Sequence, residues 1–406
     1  MSVNSGTVRD GMQEDPNPSM KPTPSVNTDL DFRLERFETL CDALDYAALG
    51  ETGFNFYDLR GGLSRVLSYR DLKEQSLDLA NRLASRFERG SRIAVVAETS
   101  ADFMIVFCAC QYAGMAPAPM PLPVNLGGKE GYLTQVRLMV SGAGAKAAVG
   151  PSGLVDFLQE ATAGLDDVTV FDFAALKALP GNGRMAQPFG PDEICYIQYS
   201  SGSTSAPKGV IGTQRSVTHN LHGITKYGLK LNNQDRATSW LPLYHDMGLI
   251  GFALSPLFAQ RSVDYIATSD FVRRPLLWLR LITENKSTTT YSPSFGYDLA
   301  ARRAPRAEPG SIDLSTLRVA GIGGDMVRAD ALQQFTDAFS SFGFDDKAFL
   351  PSYGLAEATL AISFTELDEK IAVDEVDMRH YNRTGIAQPA SAVTSPEQRR
   401  AFALCG

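Results

Sequence analysis

The segment YSSGSTSAPKGV, residues 199–210, gathers hydroxyl side chains, two glycines and one lysine around a single proline. Glycines let backbone N–H groups converge on an anion, hydroxyls add donors, and Lys208 brings a compact positive charge. Those are the parts of a polyphosphate cradle. Gly202 and Lys208 have the spacing of the phosphate loop G-x-x-x-x-G-K-[ST], but Pro207 stands where its second glycine belongs. Gly209 stands where its metal-binding hydroxyl belongs, so a divalent cation must find its protein ligand elsewhere. A flexible Ser/Gly linker is the bland alternative. It fits poorly, because the loop follows one apolar strand, ICYIQY (194–199), and precedes another, GVIGT (209–213).

Three further segments could carry chemistry. GIGGD (321–325) and LPSYGLAE (350–357) are small-residue turns that each end a predicted strand, and LPLYHDMG (241–248) brings His245 and Asp246 together. Apolar strand patterns alternate with helical ones from about residue 60. SYRDLKEQSLDLANRLASRFERG sets Leu72, Ser76, Leu79, Leu83 and Phe87 on one helical face, and ADFMIVFCACQYAG reads as a helix stopped by Gly114. RIAVVA, AKAAVG, DVTVFD, SVDYIA and STTTYSPS read as strands, and PAPMPLP (117–123) as a proline-rich connection. This alternation predicts an α/β fold of mostly parallel, doubly wound sheets flanked by helices, with ligands at the carboxyl ends of strands.

The 406 residues are 44% hydrophobic and 21% charged with net charge −8, a globular profile that speaks against a nucleic-acid role. No apolar run is long enough for a membrane span. Residues 1–31, rich in Ser, Asn, Pro and Asp and without an apolar core, read as a disordered leader rather than a secretory signal. The cysteines (41, 108, 110, 195, 405) are scattered and odd in number, which suits buried thiols in a reducing cytoplasm. Residues 32–190 form a first α/β part, 191–366 a second, and 367–406 an irregular segment.

YSSGSTSAPKG resembles the phosphate-binding signature of the adenylate-forming superfamily of acyl-CoA synthetases, luciferases and adenylation domains. SWLPLYHDMGLIG, RRPLLWLRLI, LPSYGLAEATLAIS and YRDL narrow the resemblance to its fatty acyl-AMP ligases, from about residue 32 to the last. The resemblance implies activation of a fatty acid by ATP and Mg2+ to an acyl-adenylate, then transfer to the phosphopantetheine of an acyl carrier protein in a polyketide or peptide-synthetase system. On it, Ser200, Ser201, Gly202, Ser203, Thr204 and Lys208 hold the β- and γ-phosphates. Gly323, Gly324, Asp325, Ser352, Tyr353 and Gly354 enclose adenine, and Glu357 binds Mg2+. His245 lies near the reacting carboxylate, with Asp246, Met247 and Gly248 beside the acyl group. Ser294, Phe295 and Tyr297 would wall the acyl pocket. A fatty acid is already ionised at neutral pH, so His245 positions or stabilises charge rather than acting as a base.

Bland readings stand beside these: Tyr353, Phe295 and Tyr297 as core aromatics, Glu357 as a solvated charge, His245 as structural. Arg328 reads as a surface or helix-start charge, and His219, His222 and His380 as surface or packing residues. Ala356, where many superfamily members have threonine, favours an acyl-AMP ligase over an acyl-CoA synthetase. A non-catalytic nucleotide- or acyl-binding scaffold is the third reading. Family members continue beyond a segment like ALCG (403–406) into a ribose-binding aspartate and a small mobile domain, so the chain reads as a truncated large domain that adenylates poorly alone. Residues 383–385 imitate the ribose motif, but Ile386 replaces its aspartate. The stretch 368–392 is the candidate for a family insertion associated with excluding coenzyme A.

Overall fold

The computed structural model describes residues 20–123, 128–200, 207–391 and 394–406. A hairpin of β1 (Gly53–Tyr57) and β2 (Leu63–Ser68) leads into helix Tyr69–Arg86, capped by the Ser68 hydroxyl. Leu72, Ser76, Leu79 and Leu83 of that helix are buried, the face its periodicity predicts, and Phe87 just past its end is buried too. Next come β3 (Arg92–Val96), β4 (Ala116–Met120), β5 (Ala147–Gly150) and β6 (Thr169–Asp172). They form a parallel sheet in the order β4-β3-β5-β6. Helix Ala101–Ala113 between β3 and β4 is buried almost throughout and stops where Gly114 turns to φ 64°.

β4 occupies part of the run expected to be a connection. Its prolines alternate, Pro117 opposite Ile93 and Pro119 opposite Val95, and it lies at the edge of its sheet. Alternate residues of a strand direct their backbone groups to opposite sides, so the missing N–H groups fall on the side away from β3.

A second hairpin, β7 (Ile194–Ser200) and β8 (Lys208–Thr213), pairs Ser200 with Lys208. The chain then builds β9 (Ala237–Ser239), β10 (Val263–Ile266), β11 (Thr289–Ser292), β12 (Val319–Ile322), β13 (Phe349–Gly354) and β14 (Ala361–Phe364). With β1 and β2 these form an eight-stranded sheet in the order β14-β13-β12-β11-β9-β10-β1-β2. It is parallel from β13 to β1 and antiparallel at both edges. The expected α/β architecture of mostly parallel sheets with flanking helices is what the chain adopts.

Two segments are more ordered than their composition suggests. Residues 20–27, within the expected leader, run along the amino-terminal edge of the large sheet. Thr23 N–H donates to Asn55 Oδ1 at 2.8 Å, and Asn27 Oδ1 accepts from Glu51 and Thr52 N–H. Polar residues there satisfy strand-end donors, a role composition does not reveal. The segment 367–406 carries β15 (Val373–Asp377), helix Met378–Thr384 and β16 (Arg399–Ala403), with β15 and β16 antiparallel. The 383–385 stretch is the end of that helix, with Gly385 its left-handed terminator.

Candidate active site

At the carboxyl ends of β7, β9, β12 and β13 the chain encloses a cavity of about 1030 Å³. Parallel α/β sheets place ligands at this edge because the turns there carry short, variable, polar residues. Ser200, His245, Asp246, Met247, Gly323, Gly324, Asp325, Ser352, Tyr353, Gly354 and Glu357 all line it. The segments meet closely. A Cβ on Gly324, whose φ is +79°, would lie 3.2 Å from Met247 Cε and 3.9 Å from His245 Cε1. One on Gly323 would lie 3.1 Å from Ser352 Oγ, which itself donates to the Ile322 carbonyl at 3.2 Å. Glycine at these positions keeps the cavity floor at backbone level. A Cβ on Gly354 would overlap the Leu360 carbonyl, and the Leu355 N–H donates to that same oxygen at 2.9 Å.

His245 immediately precedes the short helix Asp246–Gly248, and its side chain is 46% exposed. Its Nδ1 lies 2.8 Å from Asp246 Oδ1, and the Met247 N–H donates to that oxygen at 2.7 Å. The shortest consistent arrangement puts the proton on Nδ1, donated to Asp246, and leaves Nε2 as the nitrogen available to a ligand. Gln198 of β7 ties this segment down through Nε2 to the Tyr244 carbonyl at 2.6 Å, while its buried Oε1 has no partner among the described residues. Tyr353 is 57% exposed, an aromatic surface on the cavity rim rather than a core residue. Glu357 is exposed on the same rim.

Ser200 and Pro207 line the cavity, and Lys208, opposite Ser200, is exposed with no ion pair among the described residues. Ser201, Gly202, Ser203 and Thr204 lie outside the described residues. No group of three or more potential metal ligands occurs among the described residues. The exposed carboxylate of Glu357 suits Mg2+ as that ion usually binds nucleotides, through one carboxylate, phosphate oxygens and water; Asp325 is a second exposed carboxylate on the cavity.

The expected acyl wall is displaced. Ser294 is occupied by the Arg328 N–H and the Met326 carbonyl, and Phe295 packs edge-on to Trp240. Tyr297 is fully buried among Trp278, Phe335 and Phe349, donating to the Gly321 carbonyl at 2.9 Å. None of the three lines the cavity, and neither does Gly248, whose Cα is packed against the Pro242 carbonyl. Of the aromatics in this stretch Tyr297 is taken up by the core, Phe295 stays half exposed against Trp240, and only Tyr291 faces the cavity.

The cavity instead has an apolar arm lined by Ile224, Leu229, Phe252, Tyr291, Leu360 and Phe364. Tyr291 lies across β12 where a Cβ on Gly321 would overlap its ring, and burial pushes its hydroxyl pKa up, keeping it neutral. Two π-helical turns, Gly223–Gly228 and Leu249–Leu254, contribute Ile224 and Phe252. Wide helical turns of this kind recur at functional sites. No contiguous motif marks the arm. It arises where Phe364 packs against Gly228, whose Cβ would stand 2.5 Å from the Phe364 ring.

The profile described as AMP-binding enzyme matches residues 52–393. A Caulobacter vibrioides protein with the provisional name acyl-CoA synthetase is 46% identical over 95% of this chain and 66% of its own length. The medium-chain-fatty-acid–[acyl-carrier-protein] ligase JamA of Moorena producens is 30% identical over 87% of this chain and 61% of its own. A solved chain from work on fatty acyl-adenylate ligases of E. coli and L. pneumophila superposes with TM-score 0.88 at 41% identity. It covers 93% of this chain and 68% of that one. The chain thus spans about two thirds of the length of these relatives.

Proposed function

The chain belongs to the AMP-binding enzyme family, and from that premise we propose that it activates a fatty acid with ATP. A carboxylate oxygen attacks the α-phosphorus, the bond to the β-phosphate oxygen breaks, and acyl-adenylate and pyrophosphate form. The observation that carries this reading is the convergence of the turns after β9, β12 and β13 with the β7–β8 hairpin on one cavity that also has an apolar arm. Tyr353 stacks on adenine, and Gly323 and Gly324 admit the base edge. Lys208 and the hydroxyls before it receive the departing pyrophosphate charge. His245, with Asp246 holding Nδ1, directs Nε2 at the forming acyl-phosphate link. Mg2+ held by Glu357 would offset phosphate charge.

The acyl group then passes to the phosphopantetheine thiol of a carrier protein, a step supported by the name of JamA and by Ala356 in place of threonine. The Caulobacter relative's name favours coenzyme A as the alternative acceptor. No helix among the described residues is long and apolar enough to cross a membrane. The five cysteines are free, which suits a reducing cytoplasm.

Mass spectrometry of reactions with ATP, Mg2+ and a panel of acids tests the reading. Acyl-adenylates from fatty acids are expected, and adenylates formed only from amino acids would contradict it. Loading of carrier protein against coenzyme A separates the two acceptors.

A further inference from the structure

The cavity does not end in hydrocarbon. Because β9 to β13 are parallel, their first residues lie at the edge opposite the catalytic turns, and the cavity lining reaches that edge too. Thr289, the first residue of β11, shares a face with Tyr291 and lines the cavity with Asp235, Arg236 and Arg261. At about 3.3 Å per residue, β11 alone sets this floor roughly 10 Å below the turn that follows it.

The charges at the floor do not cancel. Arg236 is paired with Asp264 through two 2.6 Å hydrogen bonds, and Asp235 is held by Arg318 at 2.5 Å. Arg261 is 2% exposed and pairs with no carboxylate among the described residues. Its Nε donates to the Ala259 carbonyl, and its Nη1 to the carbonyls of Ser25 and Asn233. The two Nη2 hydrogens have no acceptor among the described residues. A buried guanidinium without a counter-ion is costly, and a site that keeps one gains most from an anionic hydrogen-bond acceptor. Burial already pulls its pKa down to about 10, still leaving it charged near neutrality.

We propose that the acyl arm recognises the far end of its substrate as well as the reacting carboxylate, and that Arg261 accepts a carboxylate there. The favoured acid would be a chain carrying a second, terminal carboxylate. This rests on the fatty-acid reading above and narrows it. A methyl-terminated chain of the same length would leave Arg261 as it is, and a terminal hydroxyl would serve partly. Shorter diacids would not reach.

Calorimetric titration of the 406-residue chain with straight-chain acids, their ω-hydroxy and their ω-carboxy analogues over a series of lengths tests this. At one length the ω-carboxy acid should bind about tenfold or more tighter than its methyl-terminated match, the advantage expected of one charge-assisted bond. The ω-hydroxy acid should fall between them. Arg261→Met should remove the advantage while plain fatty acids still bind. The wild-type length series gives the answer even if that variant does not fold. Plain fatty acids binding as tightly as ω-carboxy acids at every length would overturn the inference alone. Failure of all three series to bind would overturn the fatty-acid reading as well.

Discussion

The two ends of the cavity are built differently. At the carboxyl edge of the large sheet, cavity-facing groups sit on turns and rims: Tyr353 and Glu357 are exposed, and the nearest backbone is glycine. At the amino edge, Arg236, Asp264, Asp235 and Arg261 are buried and bonded into the frame that holds strands and residues 23–25 together. Exposed polar groups on turns can change without unsettling a core, whereas buried ion pairs cannot lose one partner cheaply. The carboxyl end should therefore fail by losing chemistry, and the Arg236–Asp264 and Arg318–Asp235 pairs of the amino end by losing the fold.

Substitutions can break that contrast. Arg236→Met strands Asp264, whose carboxyl burial already pushes up against the pull of Arg236. It should cost about 3–5 kcal/mol of stability, read from denaturant unfolding. Lys208→Ala should lower the ATP–pyrophosphate exchange rate by about 100- to 1000-fold, the scale of losing one preorganised charge-stabilising donor, with an unchanged melting temperature. A fall in stability as large as that of Arg236→Met would erase the distinction.

Asp246→Asn tests a smaller effect. It keeps an oxygen acceptor but removes the charge that favours the proton on Nδ1, so exchange should fall about tenfold, with little change in ATP affinity. The smallest effect is on pH dependence, away from both ends. His222 donates from Nδ1 to the Leu34 carbonyl at 2.8 Å, yet burial, with help from Lys226, Arg36 and His219, lowers its pKa below 6.5. The unfolded chain then binds more protons between the two values, so stability rises with pH. The contribution is complete above 6.5 and is lost as pH falls below it. Melting temperature should drop on acidification, and His222→Gln should flatten that slope.

What was legible in the sequence follows the same divide. The nucleotide end is written in contiguous motifs, because a turn after a strand is local: SYGLAE lines the cavity throughout, as do the last three residues of GIGGD and all of YHDMG but Gly248. The parallel sheet was equally visible, since strands covered on both faces read as short apolar runs. The apolar arm was not, because it joins Ile224, Phe252, Tyr291 and Phe364 across four elements. The nearest motif, YSPSFGY, points to Phe295 and Tyr297, of which one lies half exposed beside Trp240 and the other in the core. Pro117 and Pro119 looked like a connection because only register decides which side of an edge strand can lack donors. Residues 20–27 looked disordered because their order comes from partners 24 or more positions away, Asn55 and Ser262 among them.

The most direct test is a crystal structure of the chain with a hydrolysis-resistant acyl-adenylate analogue. Adenine is expected on Tyr353 beside Gly323 and Gly324, with the acyl chain running past Tyr291 and Phe252 toward Thr289. An analogue whose acyl chain left the cavity on the side of Ser294 and Phe295, or whose base lay away from Tyr353, would contradict this placement.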